Sequence, residues 1–414
     1  MWRFWERRHA PWFMLWPMAL AQVVSWGTLY YSFSLFAGPM HESLGWPLPA
    51  LNGALTLGLL VTGLMAYPVG ALLDRHGGRW LMTAGSATAG ALLLAWSRIG
   101  SLPIFYVLWA GLGVCMACVL IEAAFAVINQ HFGAEARRGI VAMTLVTGLA
   151  GTVFVPLIGF LLAHLDWRET LVVLALLHFA WCVPVHFCVL PPRKRPAQGH
   201  AHTDAAAGRA LMRLRLRTRV FWGLALWYTS YTLTASGLIF QLVPILRAES
   251  VPDERIFWCF ALIGPVQVAA RFLMVTAARG ATTRLLGACT TALTPLAVVL
   301  LACAPPTTGW LSLFACCFGV GHGVTTILRG VAPAEWLGRE HYGRMMGALA
   351  LPMMFAMALA PLLTALVWEH FHDPIVVWWT IFAGSLFGAV GFWLAALAPR
   401  PAVLAPPEGS GARR

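Results

Sequence analysis

Runs of roughly 20 or more apolar residues alternate with short polar breaks along almost the whole chain. A helix rises about 1.5 Å per residue, so about 20 apolar residues cross the roughly 30 Å hydrocarbon core of a bilayer. The pattern predicts twelve such spans, at 12–38, 48–72, 80–98, 102–128, 139–163, 168–190, 219–246, 256–278, 284–303, 309–332, 343–368 and 374–397. The longest polar interruption, 191–218, leaves six spans on each side. It opens with Arg193, Lys194 and Arg195, runs through Gly, His, Ala and Asp residues, and closes with Arg209, Arg213, Arg215 and Arg217. Such a composition does not build a packed core, so it predicts a linker. Leu211, Leu214 and Leu216 interleave with the arginines of 209–219, which fits a short interfacial amphipathic helix. The predicted organisation is a first six-helix bundle at 1–190, the linker at 191–218, a second six-helix bundle at 219–400 and a tail at 401–414.

Composition agrees with this pattern. Of 414 residues, 59% are hydrophobic and 11% charged, against about 45–50% and 25% in soluble domains. Too few polar side chains remain to cover a water-facing surface, whereas lipid solvates apolar side chains directly. The expected surroundings are therefore a lipid bilayer. The net charge of +12 would suit nucleic acid only if the arginines formed one basic face, and they lie scattered in short loops, so no nucleic-acid partner is expected. Their distribution sets an orientation instead. With the N-terminus in the cytoplasm, 22 of the 28 basic residues fall in inside segments. Four (Arg98, Arg168, Arg247 and Arg255) fall outside, and Arg271 and Arg329 remain within spans. Both termini are expected in the cytoplasm. Met1 to His9 is charged and aromatic and the apolar run after it has no Ala-x-Ala site, so no cleavable signal peptide is expected.

The two halves echo one another. An Arg-rich turn follows the second span at Asp74 to Arg79 and the eighth at Arg279 to Arg284. The fifth span opens with Arg137-Arg138-Gly139 and holds Pro156, and the eleventh opens with Tyr342-Gly343-Arg344 and holds Pro361, an offset near 205. In many membrane proteins that carry such repeats the binding site lies at the interface of the two halves.

Ionisable side chains inside spans are costly and mark function by default. Glu122 in the fourth span is the one acidic residue away from loops, tails and span ends. It reads either as a proton carrier or as a carboxylate in a fixed ion pair. Arg271 in the eighth span keeps its charge and needs a partner. A substrate carboxylate held by two N–H donors suits it, as would capping carbonyls. Gln267, one turn earlier, shares its face. Arg329 in the tenth span lies 207 residues after Glu122, at similar depth in the equivalent helix, and the two are expected to form a closing charge network, unless Arg329 snorkels to the interface. His322 lies among Gly319, Gly321 and Gly323, which line a cavity or allow tight packing. Ser25, Trp26, Tyr30, Tyr31 and Ser34 in the first span match Tyr228, Ser230, Tyr231 and Thr234 in the seventh. Both groups read as cavity lining or as helix–helix hydrogen bonding. Trp26, Tyr30, Tyr231, His322, Gln267 and Arg271 are the candidate substrate contacts. Cys115 and Cys118 read as small packing residues. The sequence shows no metal motif, nucleotide loop, Ser/His/Asp set or paired carboxylates. No metal or cofactor, and no enzymatic activity, is expected.

The segment Gly70-Ala-Leu-Leu-Asp74-Arg75-His-Gly77-Gly78-Arg79 resembles the signature loop of the major facilitator superfamily, with Gly78 where a basic residue is usual. The resemblance implies a conformational latch made by Gly70, Asp74, Arg75, Gly77 and Arg79. It also implies an all-α membrane fold of twelve transmembrane helices in two pseudo-symmetric six-helix bundles, working as a monomer. His131-Phe132, Arg137-Arg138-Gly139, Gly148, Gly151, Pro156, Gly159 and Trp167-Arg168, with Trp26-Gly27 and Tyr342-Gly343, resemble the monocarboxylate-type porters of that superfamily in their bacterial branch. The first span lacks the acidic residue common in eukaryotic members. The Pro156 to Gly159 run is also similar to the antiporter motif of drug exporters. The resemblance implies a proton-coupled secondary transporter of a small organic anion in the bacterial inner membrane, with Arg271 on the anion. The alternative is proton-driven efflux of an amphipathic or cationic compound.

Overall fold

The computed structural model describes residues 11–191, 201–276 and 280–399. The expected tail at 401–414, the start of the linker, Arg279 and the N-terminal arginines lie outside the described residues. Among the described residues every regular element is helical: α1 (Pro11–Trp26), a π-helical turn (Gly27–Tyr31), α2 (Ser32–Leu44), α3 (Leu48–His76), α4 (Gly78–Ser97), α5 (Leu102–Val119), α6 (Ile121–Phe132), a 3₁₀ turn (Gly133–Glu135), α7 (Ala136–Thr147), α8 (Ala150–Leu162), α9 (Trp167–Cys188), α10 (Ala201–Leu216), α11 (Arg219–Ala248), α12 (Asp253–Thr276), α13 (Thr283–Cys303), α14 (Thr308–Leu337), α15 (Tyr342–Phe371) and α16 (Pro374–Leu397). Nine helical stretches among the described residues are long and apolar enough to cross a membrane, one of them the 61-residue run Leu102–Leu162.

Helix ends follow the local chemistry. Asp166 caps α9 in a reciprocal box with Glu169. Thr218 caps α11 and Thr282 caps α13 through their hydroxyls. Gly77, with φ +76°, ends α3 and turns the chain straight into α4.

The chain forms two compact units. The first comprises Met1–Ala205 with Gly343–Met354, the second Ala206–Tyr342 with Phe355–Arg414. In the first, α4 packs along α9 and α5, and α3 along α5. In the second, α13 packs along α16 and α14, and α12 along α14. The same pairings at repeat-related positions give the weak sequence echo a physical basis.

Two features of the polar segments go beyond the sequence pattern. The linker expected over 191–218 holds α10, whose Met212 and Arg215 are buried. Arg215 donates to the carbonyls of Leu337 and Gly338 at 3.0 and 3.2 Å, closing the end of α14. Burial here comes from capping carbonyls with a cation, which hydrophobic patterning does not foretell. Residues 343–354, placed by sequence in the second bundle, group with the first unit.

Candidate functional site

In the first unit the chain turns irregular where its candidate residues lie. Ser32 N–H reaches back to the Gly27 carbonyl, one residue further than in an α-helix. The glycine admits a ring against this turn: a Cβ on Gly27 would stand 2.0 Å from the Phe154 ring. Thr28 Oγ1 donates to the Val24 carbonyl at 2.8 Å and Ser32 Oγ to the Thr28 carbonyl at 2.7 Å. The widened turn aims three aromatic rings into one cluster. Trp26 and Tyr30 stand edge to face at 5.4 Å, as do Tyr30 and Tyr31. All three are half-buried.

A second irregularity sets the position of Glu122. The helical run breaks at Leu120, which is extended (φ −78°, ψ −168°), and α6 restarts at Ile121. Glu122 thus sits in the first turn of a new helix, where a carboxylate faces the positive end of the helix dipole. The Gln22 side-chain amide donates to the Val119 carbonyl at 2.6 Å, serving a backbone group freed by the break. Glu122 lines a cavity of about 10 Å³ with Thr62, Gly70, Leu73, Gly343 and Met354, at the lower limit for one water molecule.

The sequence latch lies beside this cavity. Asp74 accepts the backbone N–H groups of Gly343 and Arg344, each at 2.8 Å, and so caps the first turn of α15 from another helix. The approach needs glycine, since a Cβ on Gly70 would lie 2.0 Å from the Gly343 carbonyl oxygen. Arg79 lies over the Phe187 ring, 4.6 Å from its centroid. Arg75 is exposed.

In the second unit the candidate groups meet across α11, α12 and α14. Arg271 is buried, 4% exposed. It donates through Nε to the Gly323 carbonyl at 3.3 Å, and through Nη2 to Thr326 Oγ1 at 3.1 Å and Gln267 Oε1 at 3.4 Å. The Tyr231 hydroxyl and His322 Nδ1 are hydrogen-bonded at 2.5 Å. His322 also packs on Phe318, with ring centroids 5.6 Å apart. His322, Thr326 and Arg329 follow one another at i, i+4 and i+7, so they share a face of α14, and each is half-buried. The Tyr228 hydroxyl donates to the Leu328 carbonyl at 3.2 Å.

The structure therefore brings Arg271, Gln267, Tyr231 and His322 into one unit, and Trp26 and Tyr30 into the other. Gly319 and Gly323 serve close packing: a Cβ on either would lie 2.8 Å from Val266 or Gln267 of α12. Thr326, the hydroxyl partner of Arg271, escaped the sequence reading, although its spacing from His322 and Arg329 is a usable signal. Gln22 and Phe154 carried no such signal, because their roles depend on breaks in other helices. Among the described residues no group of three or more His, Cys, Asp or Glu side chains is arranged to hold a metal ion.

Comparison with known proteins places this geometry. No curated protein matches the sequence. The solved structure of the human organic anion transporter MFSD10 (TETRAN) is similar at a TM-score of 0.68 and 19% identity, covering 94% of this chain and 99% of that one. At that identity the likeness shows the fold. The family model of the Major Facilitator Superfamily matches residues 18–328, more than half of the chain. With its succession of apolar helices, this chain belongs to the Major Facilitator Superfamily and is a multi-pass membrane-transport protein.

Proposed function

We propose that the chain is a secondary transporter that moves a small organic anion, a monocarboxylate being the simplest case, across the bacterial inner membrane by proton-coupled alternating access. Arg271 carries the reading. Its guanidinium keeps its charge, lies deep within a span, and donates to a hydroxyl and an amide oxygen on side chains. A carboxylate offers two oxygens in the geometry of that fork and would displace these neutral acceptors with stronger, charge-assisted bonds. Gln267 and Thr326 would then turn to the substrate, and the hydrogen-bonded Tyr231–His322 pair would supply a further polar contact. Glu122, at a helix start beside a small cavity, is the group we assign to taking up and releasing the proton, with Arg329 as its gating counterpart.

The membrane topology follows the same reading. The nine apolar stretches become twelve spans when Leu102–Leu162 is divided at Gly133 and when 11–44 and Gly78–Ser97 are added. Both termini then face the cytoplasm. The carrier works as a monomer, without cofactor and without enzymatic chemistry. The organic anion transporter of similar fold adds a parallel at the level of fold; the substrate class rests on Arg271. A second reading, export of an amphipathic or cationic compound, draws on the Trp26–Tyr30–Tyr31 cluster, whose ring faces attract cations.

Thermal unfolding of the purified protein with a panel of small carboxylates and of cationic amphiphiles separates the two. Carboxylates are expected to raise the unfolding temperature of the wild type and to leave Arg271→Gln unmoved. Stabilisation by cationic amphiphiles alone would reverse the assignment.

A further inference from the structure

Helix α10 has two faces with different tasks. Gly208, Met212 and Arg215 are buried, and the two bonds from Arg215 to the carbonyls of Leu337 and Gly338 fix the helix in rotation. Away from that face α10 carries Arg209 and Arg213, while Arg217 follows in the turn after it and Arg219 opens α11, and all four are exposed. Among the described residues none of these four guanidinium groups makes a hydrogen bond or ion pair, whereas Arg215 between them is fully engaged. Leu216 and Trp222 are exposed alongside, 39% and 61%, with the indole N–H on the Leu216 carbonyl at 2.8 Å.

The position of this stripe identifies what it meets. The membrane-crossing stretch begins at Arg219, and Thr218 caps it. Arg217 and Arg219 therefore stand within about one helical turn, some 5 Å, of the chain's entry into the apolar layer. Trp222 lies where indoles favour the bilayer interface. Two of the four guanidinium groups thus stand at the level of a phosphate layer, and Arg213 and Arg209 follow one and two turns further from the span. Arginine binds phosphate oxygens in a two-pronged, charge-assisted way, and basic side chains near an anionic leaflet each add to the attraction.

We propose that the basic stripe running from α10 into the start of α11, made by Arg209, Arg213, Arg217 and Arg219 beside Trp222, is a docking surface for the headgroups of anionic phospholipids. Selectivity follows from net charge. A zwitterionic lipid brings a compensating ammonium with its phosphate, so it gains little from a stripe of four cations.

Native mass spectrometry of the delipidated full-length protein tests this by titration with phosphatidylglycerol, with phosphatidylcholine of the same acyl chains, and with inorganic phosphate. The wild type is expected to retain phosphatidylglycerol in preference to phosphatidylcholine. The triple variant Arg209→Gln/Arg213→Gln/Arg217→Gln should lose about a hundredfold in phosphatidylglycerol affinity while its phosphatidylcholine binding stays the same. A headgroup-photoactivated phosphatidylglycerol should cross-link the wild type within residues 207–222, a result that does not depend on the variant folding. Equal retention of the two lipids, undiminished binding by the triple variant, cross-links confined to other loops, or full competition by inorganic phosphate at equal concentration would each overturn the proposal.

Discussion

The two units build the same helix pairings and break them differently. In the first unit three spans are interrupted: the first by the π turn Gly27–Tyr31, the fourth at Leu120, and the fifth between Thr147 and Ala150. Their repeat partners α11, α14 and α15 are unbroken helices of 30 residues each. An interrupted helix at membrane depth frees backbone N–H and C=O groups that other protein groups must satisfy. The first unit accordingly spends Gln22 on the Val119 carbonyl and uses its π turn to cluster three aromatic rings. The repeat-related helices stay continuous and the second unit displays polarity on side chains in two hydrogen-bonded groups, Arg271 with Gln267 and Thr326, and Tyr231 with His322. One architecture thus offers two ways of placing polar groups inside a membrane. The proposed division of labour follows from that, with the proton at the helix break and the anion on the side chains.

Substitutions sharpen or break this contrast. The largest effect is expected from Gly70→Leu, because even the first carbon of the new side chain would meet the Gly343 carbonyl at 2.0 Å. The helices must part there and Asp74 must release its two N–H groups, so stability should fall by about 3 kcal/mol in detergent unfolding. A wild-type unfolding curve would refute the close contact. Gln22→Ala comes next. It leaves the Val119 carbonyl at the break without its donor, at a cost of about 1–3 kcal/mol in detergent unfolding. An unchanged unfolding curve would show that the interruption at Leu120 does not depend on this bond. The smallest effect is expected in a glycine pair at equivalent positions. A Cβ on Gly58 would lie 2.9 Å from the Trp109 ring, whereas nothing stands within 4 Å of one on Gly264. Gly58→Ala should destabilise, and Gly264→Ala should stabilise by about 0.5–1 kcal/mol through helix propensity. Matching signs in the two would erase this difference between the units.

Much of the fold was legible in the sequence because it follows from composition. Apolar runs of bilayer length and an offset near 205 report on the solvent and the repeat rather than on particular contacts. Asp74 was singled out through the signature-loop resemblance, and its carboxylate accepts the Gly343 and Arg344 N–H groups. The breaks were not legible. Leu120 lies in the uniformly apolar run Val119-Leu120-Ile121, and Gly27 is one of 39 glycines, so nothing local distinguishes them. What separates them is Phe154 against Gly27 and Gln22 against Val119, contacts between segments distant in the chain. Arg215 shows the same limit from the other direction. Its spacing matches an exposed basic stripe, yet it is 1% exposed because two carbonyls at the end of α14 need a donor. Charge patterning pointed to a helix within the linker and did not reveal which arginine turns inward.

The central claim is that Arg271 holds the transported anion. Counterflow in proteoliposomes tests it most directly, using a labelled carboxylate that stabilises the wild-type protein. The account predicts transient uphill accumulation by the wild type, none by Arg271→Gln, and a reduced signal for Arg271→Lys, which keeps the charge without the two-pronged geometry. Counterflow by Arg271→Gln at the wild-type rate would contradict it.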